Sequence, residues 1–438
     1  MKLIESRRTT LKVALFVVTA LFLAPVALAA ASLEGHIIDA STGKPVPDSV
    51  ITVGSIVARG DAVGHFKIDT GSANLNPTIL ARAPGYRAAS FTSTTTAQNK
   101  NIFVLIPFTP HALYLSVYGI ASKSLRAGAL DIIRNGGANA LVVDIKSDRG
   151  LLTYPSQIPL AQKTGARKLT LVHSLREVVD TAHGQGIYMI ARIVTFKDAS
   201  LGTTRPDLAV HLANGTLFKD REGLTWTDPY QPEVREYNIS IAIEAAKAGF
   251  DEVQFDYVRF PDASAKLRFR GPTNEAGRVS ALNQFLREAH SALAPYNTYL
   301  SVDIFGYVGW NLNDTGIGQQ LESIVTLVDY ICPMLYPSGF KFGIPGHRSP
   351  MATNEDIYEI IHLTLENCIL RTGVNPKKFR PWLQAFRDYA FGGKRFGPGE
   401  VAAQIRGAND ADSDGWILWN PHNRYGDAGL TIISKSEP

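Results

Sequence analysis

The sequence predicts an α/β protein: a (β/α)8 TIM barrel preceded by a small all-β sandwich. Three observations carry this expectation. From residue 111 onward, strand-like and helix-like patterns alternate eight times. Before that point, residues 33–108 hold only short strand-like runs separated by Gly, Pro, Asp and Asn. The chain of 438 residues also exceeds one ordinary domain, for which about two or three is the length expectation. Apolar residues make up 45% and charged residues 19%, a globular balance that excludes a disordered chain. The net charge of +4 is concentrated in Lys2, Arg7, Arg8 and Lys12, opposed only by Glu5. The rest is close to neutral and gives no electrostatic footprint for nucleic acid.

Residues 1–29 read as an export signal. A basic start is followed by the apolar run Val13 to Leu23, then Pro25, then the small-x-small pattern Ala27-Leu28-Ala29 that signal peptidase needs. Cleavage is expected after Ala29. Ser6-Arg7-Arg8-Thr9-Thr10-Leu11-Lys12 resembles a twin-arginine signal, with Thr10 where Phe is usual. The alternative is an uncleaved anchor, since Val13 to Leu33 is just long enough to span a bilayer. Either way the body is expected outside the cytoplasm, periplasmic or extracellular, touching a membrane only if this segment is retained. Two cysteines, Cys332 and Cys368, exclude a disulfide framework or a cysteine-built zinc module and read as buried thiols.

In residues 33–108 the strand candidates are Leu33–Ile38, Ser49–Val53, His65–Ile68, Thr78–Ala83 and Ile102–Ile106. Ser90–Lys100 reads as a loop and Phe108-Thr109-Pro110 as a linker. Gly43 suits a positive-φ turn, Phe66 the core, and Gly85-Tyr86 a corner. The order of Gly35-His-Ile-Ile-Asp39, Gly43-Lys-Pro45-Val-Pro47, Gly64-His-Phe66 and Ala83-Pro-Gly85-Tyr86 resembles the carboxypeptidase regulatory-like β-sandwich. No catalytic constellation is visible here, and a spacer role is favoured over glycan or partner binding.

Within residues 111–432 the strand candidates are Leu113–Val117, Ala140–Ile145, Ile187–Ile193, Glu252–Tyr257, Tyr299–Phe305, Tyr330–Leu335, Pro381–Phe386 and Gly415–Trp419. Helical patterns fall between them at Lys123–Asn135, Leu171–Gly184, Glu233–Ala248, Gly277–Leu293, Ile317–Val328, Asn354–Arg371 and Gly399–Ala408. Asn135-Gly136, His183-Gly184 and Ala248-Gly249 suit left-handed caps. A doubly wound open sheet is the competing fold, but no Gly-rich phosphate fingerprint follows the first strand.

A barrel carries its chemistry at the C-terminal ends of its strands. Alternation along strand four puts Glu252, Gln254 and Asp256 on one face and Val253, Phe255 and Tyr257 on the other, so Asp256 is expected in the mouth. The same parity turns Ser301 and Asp303 of strand five inward. Two carboxylates at adjacent strand ends are the minimum equipment for glycoside hydrolysis, one ionised and one held protonated. The structural alternatives are an ion pair of Asp256 with Arg259, and an N-cap or loop anchor for Asp303.

Other candidates at the mouth are Asp144 and Lys146 on strand two, Arg192 ending strand three, and Trp226 and Asp228 in the long loop after it. Tyr336, Gln384 and Trp419 end strands six, seven and eight. A Lys–Asp–Arg cluster can bind hydroxyls in forked geometry. It can equally be a buried structural network. Tyr114 and Tyr118 are placed on strand one. No Gly-x-Ser-x-Gly, His-Glu-x-x-His or P-loop is present.

The run from Leu113 to about Leu430 resembles a bacterial family of glycosyl hydrolase domains, distantly similar to α-amylase-like barrels. The residues carrying it include Gly249-Phe-Asp-Glu-Val-Gln-Phe-Asp256-Tyr-Val-Arg259-Phe-Pro261, Val143-Asp144-Ile-Lys146-Ser-Asp148-Arg-Gly150 and Ala191-Arg192-Ile193. Trp226-Thr227-Asp228-Pro229 and Asp329-Tyr330-Ile331-Cys-Pro333-Met-Leu-Tyr336-Pro337 complete the match. The resemblance implies a barrel glycosidase with Asp256 as nucleophile. The acid/base in similar barrels is commonly a Glu after strand five; here Asp303 stands there. The expected partner is a polysaccharide or oligosaccharide, with no cofactor and no metal. The alternatives are a non-catalytic glycan- or envelope-binding protein and, more weakly, a metal-assisted hydrolase using Asp144, Asp148 and Asp256.

Overall fold

A computed structural model describes residues 32–69, 78–92, 101–263, 266–347 and 353–430. The export-signal reading lies outside these residues. Among the described residues no helix is long and apolar enough to cross a membrane.

The N-terminal region forms two sheets on one core. Ser32–Asp39 lies between His65–Asp69 and Asn101–Leu105 in a three-stranded sheet. The four-stranded sheet runs Ile56–Arg59, Val50–Val53, Thr78–Arg82, Ala89–Thr92. Ile37, Phe66 and Phe103 of the first pack against Ile51, Ile79 and Ala81 of the second. Two strands escape the sequence reading. Ile56–Arg59 is an edge strand with no buried residue, so it carries no alternation signal. Ala89–Thr92 runs into the stretch expected to be a loop; it is ordered by pairing with Thr78–Arg82. Gly43 does take a left-handed φ of 65°.

The rest closes into a barrel of eight parallel strands in sequence order: His111–Leu115, Ala140–Lys146, Tyr188–Val194, Glu252–Asp256, Tyr299–Phe305, Tyr330–Met334, Trp382–Gln384 and Trp416–Trp419. The eighth pairs with the first, which excludes the open sheet. Alternation sorts the side chains. Leu141, Val143, Val253, Phe255, Leu300 and Val302 pack outward under the helices. Ala112, Tyr114, Val142, Ile190, Tyr330 and Trp382 fill the interior.

Helix ends follow their caps. Asn354–Thr372 starts at a Thr353/Asp356 capping box and stops at Gly373, φ 65°. Pro232–Ala248 stops at Gly249, φ 99°. His183-Gly184 is not the expected left-handed cap, since Gly184 is right-handed at φ -59°. Three further expectations need correction. The helix expected over Leu171–Gly184 is only Leu175–His183, because Ser174 caps it by accepting from the Glu177 N–H. The helix expected over Ile317–Val328 shrinks to Leu321–Ile324. Gly318 is left-handed there, and the buried Gln319 side chain is spent on Val258, Asp303 and Phe305 backbone groups. Strand one ends at Leu115, so Tyr118 sits in the short helix Val117–Ala121 with its side chain in solvent.

The N-terminal end of the barrel is covered by the corner Arg82 to Tyr86. Tyr299 Oη donates to the Ala83 or Tyr86 carbonyl (both 2.9 Å), Tyr330 Oη accepts from the Gly85 N–H (3.1 Å), and buried Arg82 pairs with buried Asp329 (3.3 Å). The opposite end is open.

Candidate active site

Three adjacent strands each deliver one charged side chain to the open end: Asp144 from strand two, Arg192 from strand three, Asp256 from strand four. Asp303 follows from strand five. All four are at most 6% exposed. Such burial requires pairing, and Arg192 supplies it. Its Nη1 lies 2.5 Å from Asp144 Oδ1, its Nη2 donates to Asp256 Oδ2, and its Nε faces Asp303 Oδ2 at 3.7 Å. Burial opposes the guanidinium charge, but the carboxylates of Asp144 and Asp256 outweigh it and hold the proton more firmly. Tyr114 Oη donates to the other Asp144 oxygen at 2.5 Å.

One cation facing three carboxylates leaves negative charge in excess, and Asp303 is the carboxyl pushed furthest toward its neutral form. Burial, then the neighbouring Asp256 charge, push its carboxyl well above the usual range; Arg192 and the Trp382 N–H, which donates to Oδ1 at 2.7 Å, only partly oppose this. Its Oδ2 has no hydrogen-bond partner among the described residues. Asp144 is also raised, by burial, against the pull of Arg192.

After Asp256 the chain turns sharply. Tyr257 has φ 52°, an uncommon conformation for a bulky residue. The turn folds the Tyr257 N–H back onto Asp256 Oδ1 (2.5 Å). It also breaks the strand alternation that would have pointed Tyr257 outward; instead Tyr257 lines the cavity. Arg259 lies over the rings of both Trp226 (4.9 Å) and Tyr257 (5.1 Å). It makes no ion pair with Asp256, whose partner is Arg192.

The result is a cavity of about 770 Å³ with Arg192, Asp256 and Asp303 at its floor and Trp382, Trp419 and Tyr336 on its walls. Trp419 stacks on Tyr114 at 4.0 Å and meets Trp382 edge-on at 5.4 Å. Tyr336 meets Phe386 edge-on, and Phe386 stacks with the exposed Tyr389. Aromatic faces of this kind suit the C–H faces of sugar rings.

Of the residues singled out from sequence, Asp256, Asp303, Arg192, Arg259, Tyr336 and Trp419 line this cavity, and Asp144 lies beneath Arg192. The other four lie outside it. Lys146 is fully buried outside the strand-two parity, at a register shift between strands two and three. It pairs with Asp198 (2.8 Å) and donates to the Val194 carbonyl and Asn238. Trp226 is a buried support whose N–H donates to Asp220 (3.1 Å). Asp228 accepts from the Tyr230 and Arg270 N–H groups and anchors its loop. Gln384 is fully buried and engages Ser338 and the Phe386 carbonyl.

Trp382, Tyr257 and Tyr389 went unrecognised. Trp382 shares its inward parity with Gln384, and that was its only signal. Asp148 is not with Asp144 and Asp256; it faces Lys197 at 3.9 Å. Cys332 and Cys368 are buried free thiols.

A closed eight-stranded barrel with carboxylates, an arginine and aromatics at the C-terminal mouth defines a glycoside hydrolase-type TIM barrel. Residues 112–425 match the family described as "Putative glycosyl hydrolase domain", and the chain belongs to that family. No curated protein matches the chain. Among solved structures it is similar to a hypothetical protein from Ruminiclostridium thermocellum (38% identity, 44% of this chain and 96% of that one, TM-score 0.39). It is also similar to the PgaB (BpsB) glycoside hydrolase domain from Bordetella bronchiseptica (13% identity, 75% and 100%, TM-score 0.48). A third is the Ostrinia furnacalis Group IV chitinase in complex with allosamidin (12% identity, 74% and 96%, TM-score 0.45).

Proposed function

We propose that the barrel hydrolyses a polysaccharide, with Asp256 as nucleophile and Asp303 as acid/base. The observation that carries this is the pair's shared place at the floor of one aromatic-walled cavity, in unlike surroundings. Both oxygens of Asp256 accept from donors, Arg192 and the Tyr257 N–H, which suits an attacking carboxylate. Burial and the Asp256 charge raise the Asp303 carboxyl, which favours the protonated form that a general acid needs. In the first step Asp256 bonds to the anomeric carbon as the glycosidic C–O bond breaks, and Asp303 gives its proton to the departing oxygen. In the second, Asp303 takes a proton from water as that water displaces Asp256. Arg192 holds Asp256 in line, and Trp419, Trp382 and Tyr336 pack against the rings. The protein acts after export, and the β-sandwich, of carboxypeptidase regulatory-like type, is a spacer and a base for the barrel.

A screen of bacterial exopolysaccharides and wall glycans tests this, comparing wild type with Asp256→Asn. Sugar release by wild type alone is the expected result. Equal release by the variant on a confirmed substrate would overturn the assignment. Cell fractionation tests export, and a cytoplasmic pool alone counts against it.

The depth of Asp303, 1% exposed, favours a second reading: a glycan- or envelope-binding protein on a glycosidase scaffold. Glycan binding that survives loss of both carboxylates, with no sugar released, selects it.

A further inference from the structure

A second cavity, about 1140 Å³, lies beside the first, between the loop after strand seven and the loop after strand eight. The two cavities share Phe386 and Pro421 as a common ridge. Their charges differ. The first is lined by Glu222, Asp256, Asp262 and Asp303 against Arg192 and Arg259. The second is lined by Arg387, Arg395 and Arg424, with His422, against Asp427 alone.

These arginines are not spent on the fold. The guanidinium groups of Arg395 and Arg424 make no hydrogen bond or ion pair to any described residue, and Arg387 donates only to the Gly393 carbonyl at 2.7 Å. All three are exposed. Elsewhere the same side chain is used structurally: Arg205, Arg235, Arg278 and Arg371 each hold a carboxylate at 2.9 Å or less. Three guanidinium groups without a carboxylate partner line one concave surface, where they repel one another and would gain from an entering anion. Gaps at a barrel's strand-seven and strand-eight loops are also well placed to hold an anionic group of a bound molecule.

We propose that this arginine cavity is a subsite for anionic substituents of the glycan, so that the substrate is an acidic polysaccharide rather than a neutral one. The inference rests on the glycan-hydrolase reading for the direction of the chain. A sugar chain would run from the Asp256 cavity over Phe386 and Pro421 into the arginine cavity. The carboxylates of the first would repel an acidic substituent, so ionised groups would settle in the second. The shared chemistry is a carboxylate or phosphate ester borne on sugar rings.

The test is binding by Asp256→Asn protein, which separates recognition from turnover. The probes are polygalacturonate oligomers (carboxylate), a phosphorylated mannan (phosphate), chitohexaose (neutral) and a thymidine oligonucleotide (a non-sugar polyanion). Expected is binding to one or both acidic glycans that weakens with salt. It should fall at least about tenfold in Arg395→Gln/Arg424→Gln, a loss of ~1.4 kcal/mol, with chitohexaose binding unchanged between the two proteins. The better of the two acidic probes identifies the substituent. Acidic-glycan binding unaltered by the double substitution would overturn the proposal, as would preference for chitohexaose or equal binding of the oligonucleotide. Selective binding without hydrolysis by the wild type would leave the subsite standing and sink the catalytic reading instead.

Discussion

The barrel encloses two buried arginine–carboxylate clusters, one at each end. At the base, Arg380 pairs with Glu252 (2.6 Å) and Asp414 (3.0 Å), lies over the Tyr330 ring at 4.0 Å, and Tyr188 Oη donates to Glu252 (3.1 Å). All three charged side chains are fully buried. At the mouth, Arg192 meets Asp144, Asp256 and Asp303 below an open cavity. The same fork serves both ends. Burial raises a carboxyl at each end, Asp414 at the base and Asp303 at the mouth, but the mouth has one more carboxylate and a route to solvent.

Four substitutions probe the contrast. Asp256→Asn should lower hydrolysis by about 10⁴-fold or more while shifting the melting temperature little, since Arg192 retains Asp144; kinetics beside calorimetry checks both halves. Arg380→Met should do the reverse. It strands two carboxylates in a sealed site and should cost about 3–5 kcal/mol, read by urea unfolding. A loss well under that range would mean that the base cluster is not structural.

Asp303→Asn sharpens the comparison through pH. The folded carboxyl is raised above its unfolded value, so the folded state holds the proton where the unfolded state has released it. Wild-type stability is therefore penalised increasingly as pH climbs above about 4, the ordinary carboxyl range. Below that range both states are protonated and the penalty vanishes. The variant's melting temperature, relative to wild type, should rise between pH 4 and 7. A flat difference would deny the raised carboxyl. Trp226→Phe should have the smallest effect. It loses one hydrogen bond to Asp220, about 1 kcal/mol, and keeps the ring under Arg259, so KM should move only a few-fold.

Strand parity made much of this legible. It puts Asp256, Asp303 and Asp144 inward, because a barrel interior obeys a period of two. It failed where that period is interrupted. The register shift beside Arg192 carried Lys146 out of the interior and onto Asp198. The left-handed turn at Tyr257 swung an expected outward ring into the cavity. Gln384 obeyed parity, yet Ser338 had already claimed its amide. Ile317–Val328 had helical spacing, but Gln319 gained more by knitting strands four and five than by joining a helix. In each case a tertiary partner, invisible in local pattern, decided the outcome.

The corner from Arg82 to Tyr86 has a consequence for modularity. By occupying the Tyr299 and Tyr330 hydroxyls and pairing with Asp329, it leaves the barrel's underside without an aqueous face of its own. The barrel is therefore not a portable unit. Excised at the linker, it would open the Arg380 layer to water; transplanted, it would need those five residues carried with it. The β-sandwich and the barrel should therefore melt in one transition, which calorimetry would read.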